Sequence, residues 1–404
     1  MTSFYQRLEV PTLINAAGPL TRLGGCRLAP EVLAAMAEAS ASFVHIDQLQ
    51  SAAGEVIAAI TGAEAGYVTN GAAAGLMLAT AACVAGLDVA AMDRLPDTTG
   101  LRNEIVVQRG HRNSYDHAIR AVGITFVEAG YLGYPGAGGT QPWQVEAAIT
   151  ERTAAIACPI LNTPGTLPLP VVVEIAHRHG LPVIVDAAAE LPPRSNLQRF
   201  INEGADLVVF SGGKSIGGPQ SSGILAGCAD LIASVALQHQ DMDVRLQTWN
   251  RRDLVSSGAI AGIPHQGFGR MAKVGREEIA GLITALEIYA AGSDEADFAR
   301  WSGYLDPIAS ALAGLPDISV ARTDSTRTRK PLPLLTIDLG ESYAFDAAYT
   351  VLNQLLQGAP AIALAESAAE DNRLIVNPHG LTDSEAMQIA TALTTAIRNQ
   401  PRST

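Results

Sequence analysis

The sequence predicts an α/β protein with a mostly parallel, doubly wound sheet in a large domain and a smaller α+β domain at the carboxyl end. Short apolar runs of strand length alternate with helix-length segments over residues 50–186, a pattern typical of parallel strands joined by crossover helices. After residue 276 this regular alternation ends. The 404 residues, 48% of them hydrophobic, suffice for one large core and one smaller core.

An N-terminal arm is expected over residues 1–39 and the large domain over residues 40–275. Helices are predicted where apolar or small residues recur at helical spacing, and strands where short apolar runs end at turn residues. The predicted helices of the large domain are 50–60, 73–84, 114–122, 144–149 and 171–178. The predicted strands are 66–69, 104–108, 125–128, 154–157 and 182–186, followed by a hairpin of strands 207–210 and 224–226.

Residues 276–404 are predicted to form a linker helix and a small C-terminal domain. The helix, 277–290, has apolar residues at helical spacing and would bridge the two domains. The small domain is expected to contain strands 332–338, 359–363 and 374–377 and helices 344–356 and 384–398. The basic stretch 322–330 is interpreted as an exposed loop.

Charge and composition restrict the possible functions. The net charge of −13 opposes general binding to nucleic acid, and no apolar stretch predicts a membrane span or a cleavable signal. The four cysteines are far apart and form no Cys-x-x-Cys pair, so neither a disulfide framework nor a metal site is expected. These observations favour a cytoplasmic enzyme that acts on small molecules.

Lys214 is the first candidate functional residue, because it lies between two apolar runs beside glycine and serine. A lysine between buried strands loses hydration unless a partner neutralises its charge. A Schiff base to an aldehyde such as pyridoxal 5'-phosphate (PLP) would do so, and the small residues Ser211, Gly212 and Gly213 would let a ring approach the backbone. On this segment alone, an ordinary loop lysine is the alternative.

The same stretch contains Gly-Lys-Ser at 213–215, the end of a nucleotide-binding P-loop. That motif needs a glycine five residues before Gly213, where the chain has Val208. It also needs a following helix, which Gly-Gly-Pro at 217–219 would break. The P-loop interpretation is therefore excluded.

Asp186 ends the apolar run 182–186 and is followed by alanines. Ligands of open α/β sheets bind at the carboxyl ends of strands, so this carboxylate is placed to hold a pyridine nitrogen protonated. Ala188 would lie on the same face of an extended chain and is small enough for a ring to lie on it. A helix N-cap is the alternative role for Asp186.

Residues 70–74 predict a phosphate-binding turn. The short run 66–69 ends at Asn70-Gly71, and a helix of small residues follows. The first turn of such a helix offers free backbone N–H groups and the positive end of the helix dipole. Close packing of the helix on the sheet explains the small residues equally well.

Taken in order, these segments resemble the PLP-dependent enzymes of fold type I, in particular the branch related to bacterial selenocysteine synthase that contains D-glucosaminate-6-phosphate ammonia lyase. The resemblance covers nearly the whole chain. The segments that carry it are 14–25 (INAAGPLTRLGG), 70–74 (NGAAA), 108–120 (QRGHRNSYDHAIR), 186–189 (DAAA), 211–214 (SGGK) and 269–275 (GRMAKVG).

The resemblance implies a PLP cofactor, with Lys214 as the Schiff-base lysine and Asp186 as the partner of the pyridine nitrogen. His111 matches the place where this fold commonly stacks a ring on the cofactor, opposite Ala188; a surface histidine is the alternative. The resemblance also implies a set of residues that hold the phosphate, namely Ser211, Asn70, Gly71, Ala72 and Ala73.

The reaction is less well determined than the cofactor. PLP acidifies the α-hydrogen of an amino acid, and Lys214 is the natural base. Loss of a group from Cβ gives elimination, reprotonation at Cα gives racemisation, and reprotonation on the cofactor gives transamination. The family favours a lyase that releases ammonia and a 2-oxo acid, with a racemase or an aminotransferase as alternatives.

An arginine is expected to bind the substrate carboxylate, because the guanidinium group matches both oxygens. The candidates are Arg22, Arg270 and Arg373, and Tyr115 and His117 are possible proton donors.

Two functions outside lyase chemistry remain open: selenium or sulfur transfer to an aminoacyl-tRNA, which the acidic charge opposes, and a non-catalytic homologue. Active sites of fold type I are generally completed by a neighbouring subunit. We therefore expect a homodimer or a larger even-numbered homo-oligomer, with residues 256–270 reaching across.

Overall fold

The structure is a computed structural model that describes residues 3–132, 139–161, 163–325 and 330–402. By compactness the chain divides into a larger unit, Leu28–Ala291, and a smaller unit that combines Met1–Arg27 with Gly292–Thr404. The domain boundaries predicted at residues 39 and 275 stay predictions.

The strands of the described residues are β1 (Leu13–Ala16), β2 (Ala65–Thr69), β3 (Glu104–Gln108), β4 (Thr125–Ala129), β5 (Thr153–Pro159), β6 (Val183–Asp186), β7 (Leu207–Ser211), β8 (Gly223–Gly227), β9 (Ile318–Ser325), β10 (Lys330–Leu339), β11 (Ala361–Leu364) and β12 (Arg373–Val376).

The helices are α1 (Phe4–Arg7), α2 (Pro30–Ser40), α3 (Ile46–Thr61), α4 (Gly71–Ala85), α5 (Val89–Arg94), α6 (Asp116–Arg120), α7 (Pro142–Ala148), α8 (Leu169–Arg178), α9 (Asn196–Asn202), α10 (Ala229–His239), α11 (Asp253–Ser256), α12 (Arg276–Ala291), α13 (Asp294–Leu312), α14 (Ala347–Leu356) and α15 (Asp383–Arg398). Short 3-10 turns include Arg109–His111 and Phe268–Ala272.

The larger unit is built on a seven-stranded sheet of order β2-β8-β7-β6-β5-β3-β4. Strands β3 to β7 pair in parallel, and β8 is antiparallel to both of its neighbours. Strands β3 and β5 are buried along their full length, as expected for a sheet covered on both faces. One apolar cluster contains residues from α3, α8 and α12, and another contains residues from α4 and α10. This architecture confirms the predicted α/β class.

The predicted bridging helix, α12, lies within the larger unit. Its apolar residues Ile279, Leu282 and Leu286 belong to the same core cluster as Phe210. It also packs closely on α2: a Cβ on Gly281 would lie 2.8 Å from Met36 Cγ. Burial of one face in this core accounts for its place in the larger unit.

The smaller unit is α+β, as predicted. Strands β1 and β11 pair in parallel, and β12, β10 and β9 form an antiparallel sheet. The interpretation of residues 322–330 as a loop is wrong for the first four of them, which lie in β9, and for Lys330, which begins β10. In this strand Ile318 and Val320 are partly buried and alternate with exposed residues, so the apolar side chains before the basic stretch decide its structure. Residues 326–329 lie outside the described residues.

Candidate active site

Four of the predicted site segments meet at one edge of the seven-stranded sheet. Asn70 follows β2, His111 follows β3, Asp186 ends β6 and Ser211 ends β7. Strands β3, β6 and β7 are parallel, and β2 runs in the same direction because both β2 and β7 are antiparallel to β8. Their carboxyl ends therefore share the edge where ligands of such sheets bind.

Lys214 lies in the connection between β7 and β8, as predicted. Burial lowers the pKa of its ammonium group, and the negative charges of Asp186 and Glu190 oppose that shift. The connection is fixed by its own backbone: Gly217 N–H donates to the Lys214 carbonyl, and Gly212 N–H donates to the Ser222 carbonyl. Lys214 is thus held near two carboxylates on a defined loop.

Asp186 lies opposite Val209 of the adjacent strand β7. Its Oδ1 accepts the Ala188 N–H at 3.0 Å, and Oδ2 has no hydrogen-bond partner among the described residues. Burial raises the pKa of this carboxyl group, while the Ala188 N–H and the charge of Lys214 oppose the rise. The next helix begins only at Asn196, so Asp186 is not a helix N-cap.

Asn70 is the N-cap residue of α4, yet its side chain makes no capping hydrogen bond. Its Nδ2 instead donates to the Lys273 carbonyl at 3.3 Å. No acidic side chain lies in the first turn, and residues 70–74 are exposed or partly exposed. The first N–H groups of α4 therefore remain available to an anion, which a helix N-terminus stabilises.

Gly223 on β8 separates this turn from Ser211. It pairs with Thr69 on one side and with Ser211 on the other. A Cβ on Gly223 would lie 2.5 Å from the Gly71 carbonyl carbon and 2.8 Å from Ala72 N, so only glycine lets the turn lie this close to the sheet. Ser211 ends β7 and is partly buried.

His111 is 3% exposed and lies in the 3-10 turn after β3, two strands from β6. Burial lowers its pKa to about 4, so the ring is neutral at physiological pH. Its Nδ1 is buried and has no hydrogen-bond partner in the described part of the chain. The alternative of a surface histidine is therefore wrong, because the turn packs the ring inside the larger unit.

Three further predicted residues follow strands β3 and β6, namely Tyr115, His117 and Ala188. Ala188 is in a turn, so the expectation of an extended chain at this residue is wrong, and its position is set by the hydrogen bond to Asp186. Tyr115 and Asp186 line one small cavity of about 10 Å³ together with Asn113. His117 is exposed on α6.

Among the three arginines proposed for the substrate carboxylate, Arg270 lies in the larger unit. It pairs with Asp241 at 3.3 Å and lines a cavity of about 490 Å³ together with Lys273. Arg22 and Arg373 lie in the smaller unit, where Arg22 pairs with Glu366 at 2.6 Å and Arg373 with Asp338 at 2.8 Å.

Glu190 lies near the site, although its role is not evident from the sequence. This residue is 7% exposed, and its charge acts on Lys214. Its loop is tied to the lysine loop, because Ser215 Oγ donates to the Leu191 carbonyl at 2.8 Å. The sequence signal for Glu190 is an acidic residue among alanines and prolines, four residues after Asp186.

No group of three or more potential metal-ligating side chains occurs in the described ranges, and none of their helices is long and apolar enough to cross a membrane.

Comparison with known proteins places this site in a family. The aminotransferase class-V profile matches residues 102–243. A 5'-C-glycyluridine monooxygenase-decarboxylase from Streptomyces sp. is 35% identical over 387 residues, which cover 94% of this chain and 88% of that protein. D-glucosaminate-6-phosphate ammonia lyase from Salmonella typhimurium (strain 14028s / SGSC 2262) is 35% identical over 320 residues, covering 78% of this chain and 76% of that protein.

More distant relatives include an L-seryl-tRNA(Sec) selenium transferase from Solidesulfovibrio magneticus, 27% identical over 419 residues that cover 96% of this chain and 82% of that protein. Among solved structures, a D-glucosaminate-6-phosphate ammonia lyase matches with a TM-score of 0.81 and 31% identity, over 98% of this chain and 99% of the other. A ureidoglycine-glyoxylate aminotransferase from Bacillus subtilis, 13% identical over 96% of this chain and 94% of the other with a TM-score of 0.56, shares the fold.

These similarities confirm the resemblance seen in the sequence motifs. Because the chain is 35% identical to the ammonia lyase and spans three quarters of it, the chain belongs to the PLP-dependent enzymes of fold type I, in the branch that contains D-glucosaminate-6-phosphate ammonia lyase and is related to selenocysteine synthase.

Proposed function

We propose that this enzyme is a PLP-dependent lyase that removes a β-substituent from an amino acid and releases ammonia and a 2-oxo acid. The observation that carries the proposal is that Lys214, in the loop after β7, lies near enough to Asp186, at the end of the adjacent strand β6, for their charges to interact, in a chain 35% identical to an ammonia lyase. Burial lowers the pKa of the Lys214 amine and raises the pKa of the Asp186 carboxyl group, and such shifts cluster at catalytic sites.

The described residues fit PLP at three points. The turn Asn70–Ala73 has uncapped N–H groups and close backbone approach at Gly223, which suit a phosphate. The Ser211 hydroxyl would add a donor. Asp186 Oδ2, which lacks a hydrogen-bond partner among the described residues, would accept the N–H of a protonated pyridine nitrogen. The neutral ring of His111 would stack on the cofactor, opposite Ala188.

Bound PLP supplies an electron sink that weakens the Cα–H bond of an amino acid joined to it. Lys214 would hold the cofactor through its amine, and, once the substrate amine has taken its place, the same amine would accept the Cα proton. Burial favours this role, because it lowers the pKa of Lys214 and so increases the unprotonated fraction. Asp186 would hold the pyridine nitrogen protonated.

The elimination moves one proton from Cα and expels one group from Cβ. Nζ of Lys214 gains the Cα proton, a Cα=Cβ bond forms from that electron pair, and the bond from Cβ to the substituent breaks with its electrons on the substituent. A hydroxyl substituent needs one proton to leave as water, and Tyr115, which lines the same small cavity as Asp186, would provide it. The released enamine then takes up one water and yields ammonia and the 2-oxo acid.

A panel of β-hydroxy, β-amino and sugar-derived amino acids tests the reaction. The enzyme should release ammonia and a 2-oxo acid in equal amounts from at least one of them, and borohydride should fix PLP to Lys214. Inversion at Cα without ammonia would indicate a racemase, and amino transfer to a 2-oxo acid acceptor an aminotransferase. No turnover of any free amino acid by protein that carries PLP would contradict the lyase proposal.

Oxidative chemistry is the second candidate, because the monooxygenase-decarboxylase matches 94% of this chain. The same panel run under nitrogen separates the two. A lyase keeps its ammonia release without oxygen, whereas a monooxygenase loses it and consumes oxygen in air. Transfer of selenium to tRNA is disfavoured by the net charge of −13, and a gel shift with tRNA at low salt tests it.

We further propose an even-numbered homo-oligomer that binds an amino acid substrate, with one of Arg22, Arg270 and Arg373 on the substrate carboxylate. Phe43 is 97% exposed and Met271 69% exposed, and large apolar side chains left in water favour burial by a second copy. Sedimentation of a fully active species of about 42 kDa would contradict this. A cytoplasmic location remains part of the proposal.

A further inference from the structure

A buried chain of hydrogen bonds connects strand β2 to the segment that precedes α12. Tyr67, in the middle of β2, is 2% exposed, and His239, the last residue of α10, is 4% exposed. The Tyr67 hydroxyl lies 2.9 Å from His239 Nδ1, and His239 Nε2 lies 2.9 Å from the Ala272 carbonyl oxygen. The two rings also meet edge to face, with centroids 5.4 Å apart.

The protons in this chain have only one consistent arrangement. The Ala272 carbonyl can only accept, so His239 Nε2 carries a hydrogen and donates it. Burial lowers the pKa of His239, which keeps the ring neutral and leaves Nδ1 as an acceptor. Burial also raises the pKa of Tyr67, so its hydroxyl stays protonated and donates to Nδ1. Each polar group is satisfied, and the order from Tyr67 to Ala272 is fixed.

Glycines hold the same segment against the helices behind the sheet. A Cβ on Gly267 would lie 2.6 Å from Gln238 Cα, and one on Gly269 would lie 2.3 Å from Leu78 Cδ2. The backbone of residues 267–272 is therefore packed directly on α10 and α4. These contacts and the hydrogen bond from His239 to the Ala272 carbonyl hold its position, and Arg270 adds an ion pair with Asp241.

This segment is hydrogen-bonded to the proposed phosphate-binding turn. Lys273 follows Ala272, and its carbonyl accepts the hydrogen bond from Asn70 Nδ2. Asn70 follows Tyr67 by three residues. Strand β2 and the residue after it are therefore joined twice to the segment 272–273, once through the Tyr67–His239 pair and once through Asn70. The second connection draws the Asn70 side chain away from the helix end that it would otherwise cap.

We infer that Tyr67 and His239 are positioning residues that keep the phosphate-binding turn open by holding the Lys273 carbonyl where it captures Asn70. The inference rests on the proposed PLP function. When this connection is lost, residues 272–273 relax, Asn70 is released to cap α4, and its side chain then competes with the phosphate for the same N–H groups.

Comparison of PLP with pyridoxal, which lacks the phosphate, provides the test. Apoenzyme is titrated with each compound. The dissociation constant for pyridoxal divided by that for PLP measures how much the phosphate contributes to binding. Tyr67→Phe should lower this ratio by about fivefold, the equivalent of about 1 kcal/mol for one neutral hydrogen bond, with the affinity for pyridoxal unchanged. Tyr343→Phe is the matched control, because Tyr343 is 4% exposed and its hydroxyl donates to the Pro316 carbonyl at 3.2 Å in the smaller unit.

Asn70→Ala combined with Tyr67→Phe tests the route. If Tyr67 acts through Asn70, the double variant loses no more than Asn70→Ala alone. Tyr67→Phe would overturn the inference if it lowered the affinities for PLP and pyridoxal by the same factor, which leaves the ratio unchanged. Additive losses of PLP affinity in the double variant would overturn it as well. Wild-type protein that binds PLP no better than pyridoxal would instead contradict the phosphate turn itself. If Tyr67→Phe is insoluble, His239→Gln interrupts the same connection and takes its place.

Discussion

Replacement of Gly223 by alanine tests whether the turn after β2 binds the cofactor phosphate. The added Cβ would lie 2.5 Å from the Gly71 carbonyl carbon, 2.7 Å from its oxygen and 2.8 Å from Ala72 N. All three are backbone atoms, so no side chain can rotate away. Carbon atoms in contact prefer a separation of about 3.5–4.0 Å, and the Gly71–Ala72 peptide must therefore move by about 1 Å.

This displacement has two separate costs. Forcing a methyl group into a packed site destabilises a fold by about 1–3 kcal/mol. The same movement misaligns the N–H groups of α4 with the phosphate, and hydrogen bonds to a charged group contribute about 1.5–3 kcal/mol each. We expect Gly223→Ala to weaken PLP binding by about 10- to 100-fold.

Gly227, at the other end of β8, provides a matched control. A Cβ there would lie 1.9 Å from the Asp206 carbonyl oxygen, so Gly227→Ala also clashes with backbone, but at the opposite edge of the sheet. Both variants should unfold at lower urea concentration, and only Gly223→Ala should bind PLP more weakly when apoenzyme is titrated and followed by absorbance. Equal PLP affinities in the two folded variants would refute the assignment of the phosphate to this turn.

Two further predictions concern single ionisable groups. Asp186→Asn should retain bound PLP and slow Cα–H exchange in deuterium oxide by about 100-fold or more, because the amide cannot hold the pyridine nitrogen protonated; unchanged exchange would make Asp186 a structural residue. Burial lowers the pKa of His379 from 6.5 to about 4, so between these values the unfolded chain binds more protons and stability falls as pH falls. Urea unfolding should show His379 contributing a loss of about 2 kcal/mol between pH 7 and pH 5 that is absent in His379→Gln, and an equal loss in both proteins would contradict this.

The sequence predicts those parts of the fold and site that depend on residues near each other in the chain. Apolar runs that end at Asp186 and Ser211 predict strands and place both residues at the carboxyl edge of the sheet, and the glycines around Lys214 predict its loop. In the smaller unit, the apolar periodicity of 384–398 predicts α15 within one residue at its start. Local pattern suffices here because burial of one face determines each element.

Contacts between distant residues could not be predicted in this way. Tyr67 and His239 are separated by 172 positions, and the apolar runs around them predict only that both are buried. Gly223 appears in the sequence as one glycine among several in the lysine hairpin. Its role depends on the turn at Gly71, which the sheet order brings beside it through pairing with Thr69. These features require the register of the sheet, which the strand pattern alone does not give.

Asn70 breaks a local rule of helix capping at the proposed phosphate-binding turn. An asparagine before a helix predicts a side-chain cap, which stabilises a helix by about 1 kcal/mol. Here Asn70 binds the Lys273 carbonyl and leaves the N–H groups of α4 without that cap, a local loss of stability that the fold maintains through the buried Tyr67–His239 connection. An anion of two negative charges at this helix end would restore more than the cap supplies, since each hydrogen bond to a charged acceptor is stronger than a neutral one. The uncapped helix is therefore itself an argument that the turn binds phosphate, and Asn70→Asp, which places a carboxylate at the same end of α4, should reduce affinity for PLP while leaving affinity for pyridoxal unchanged.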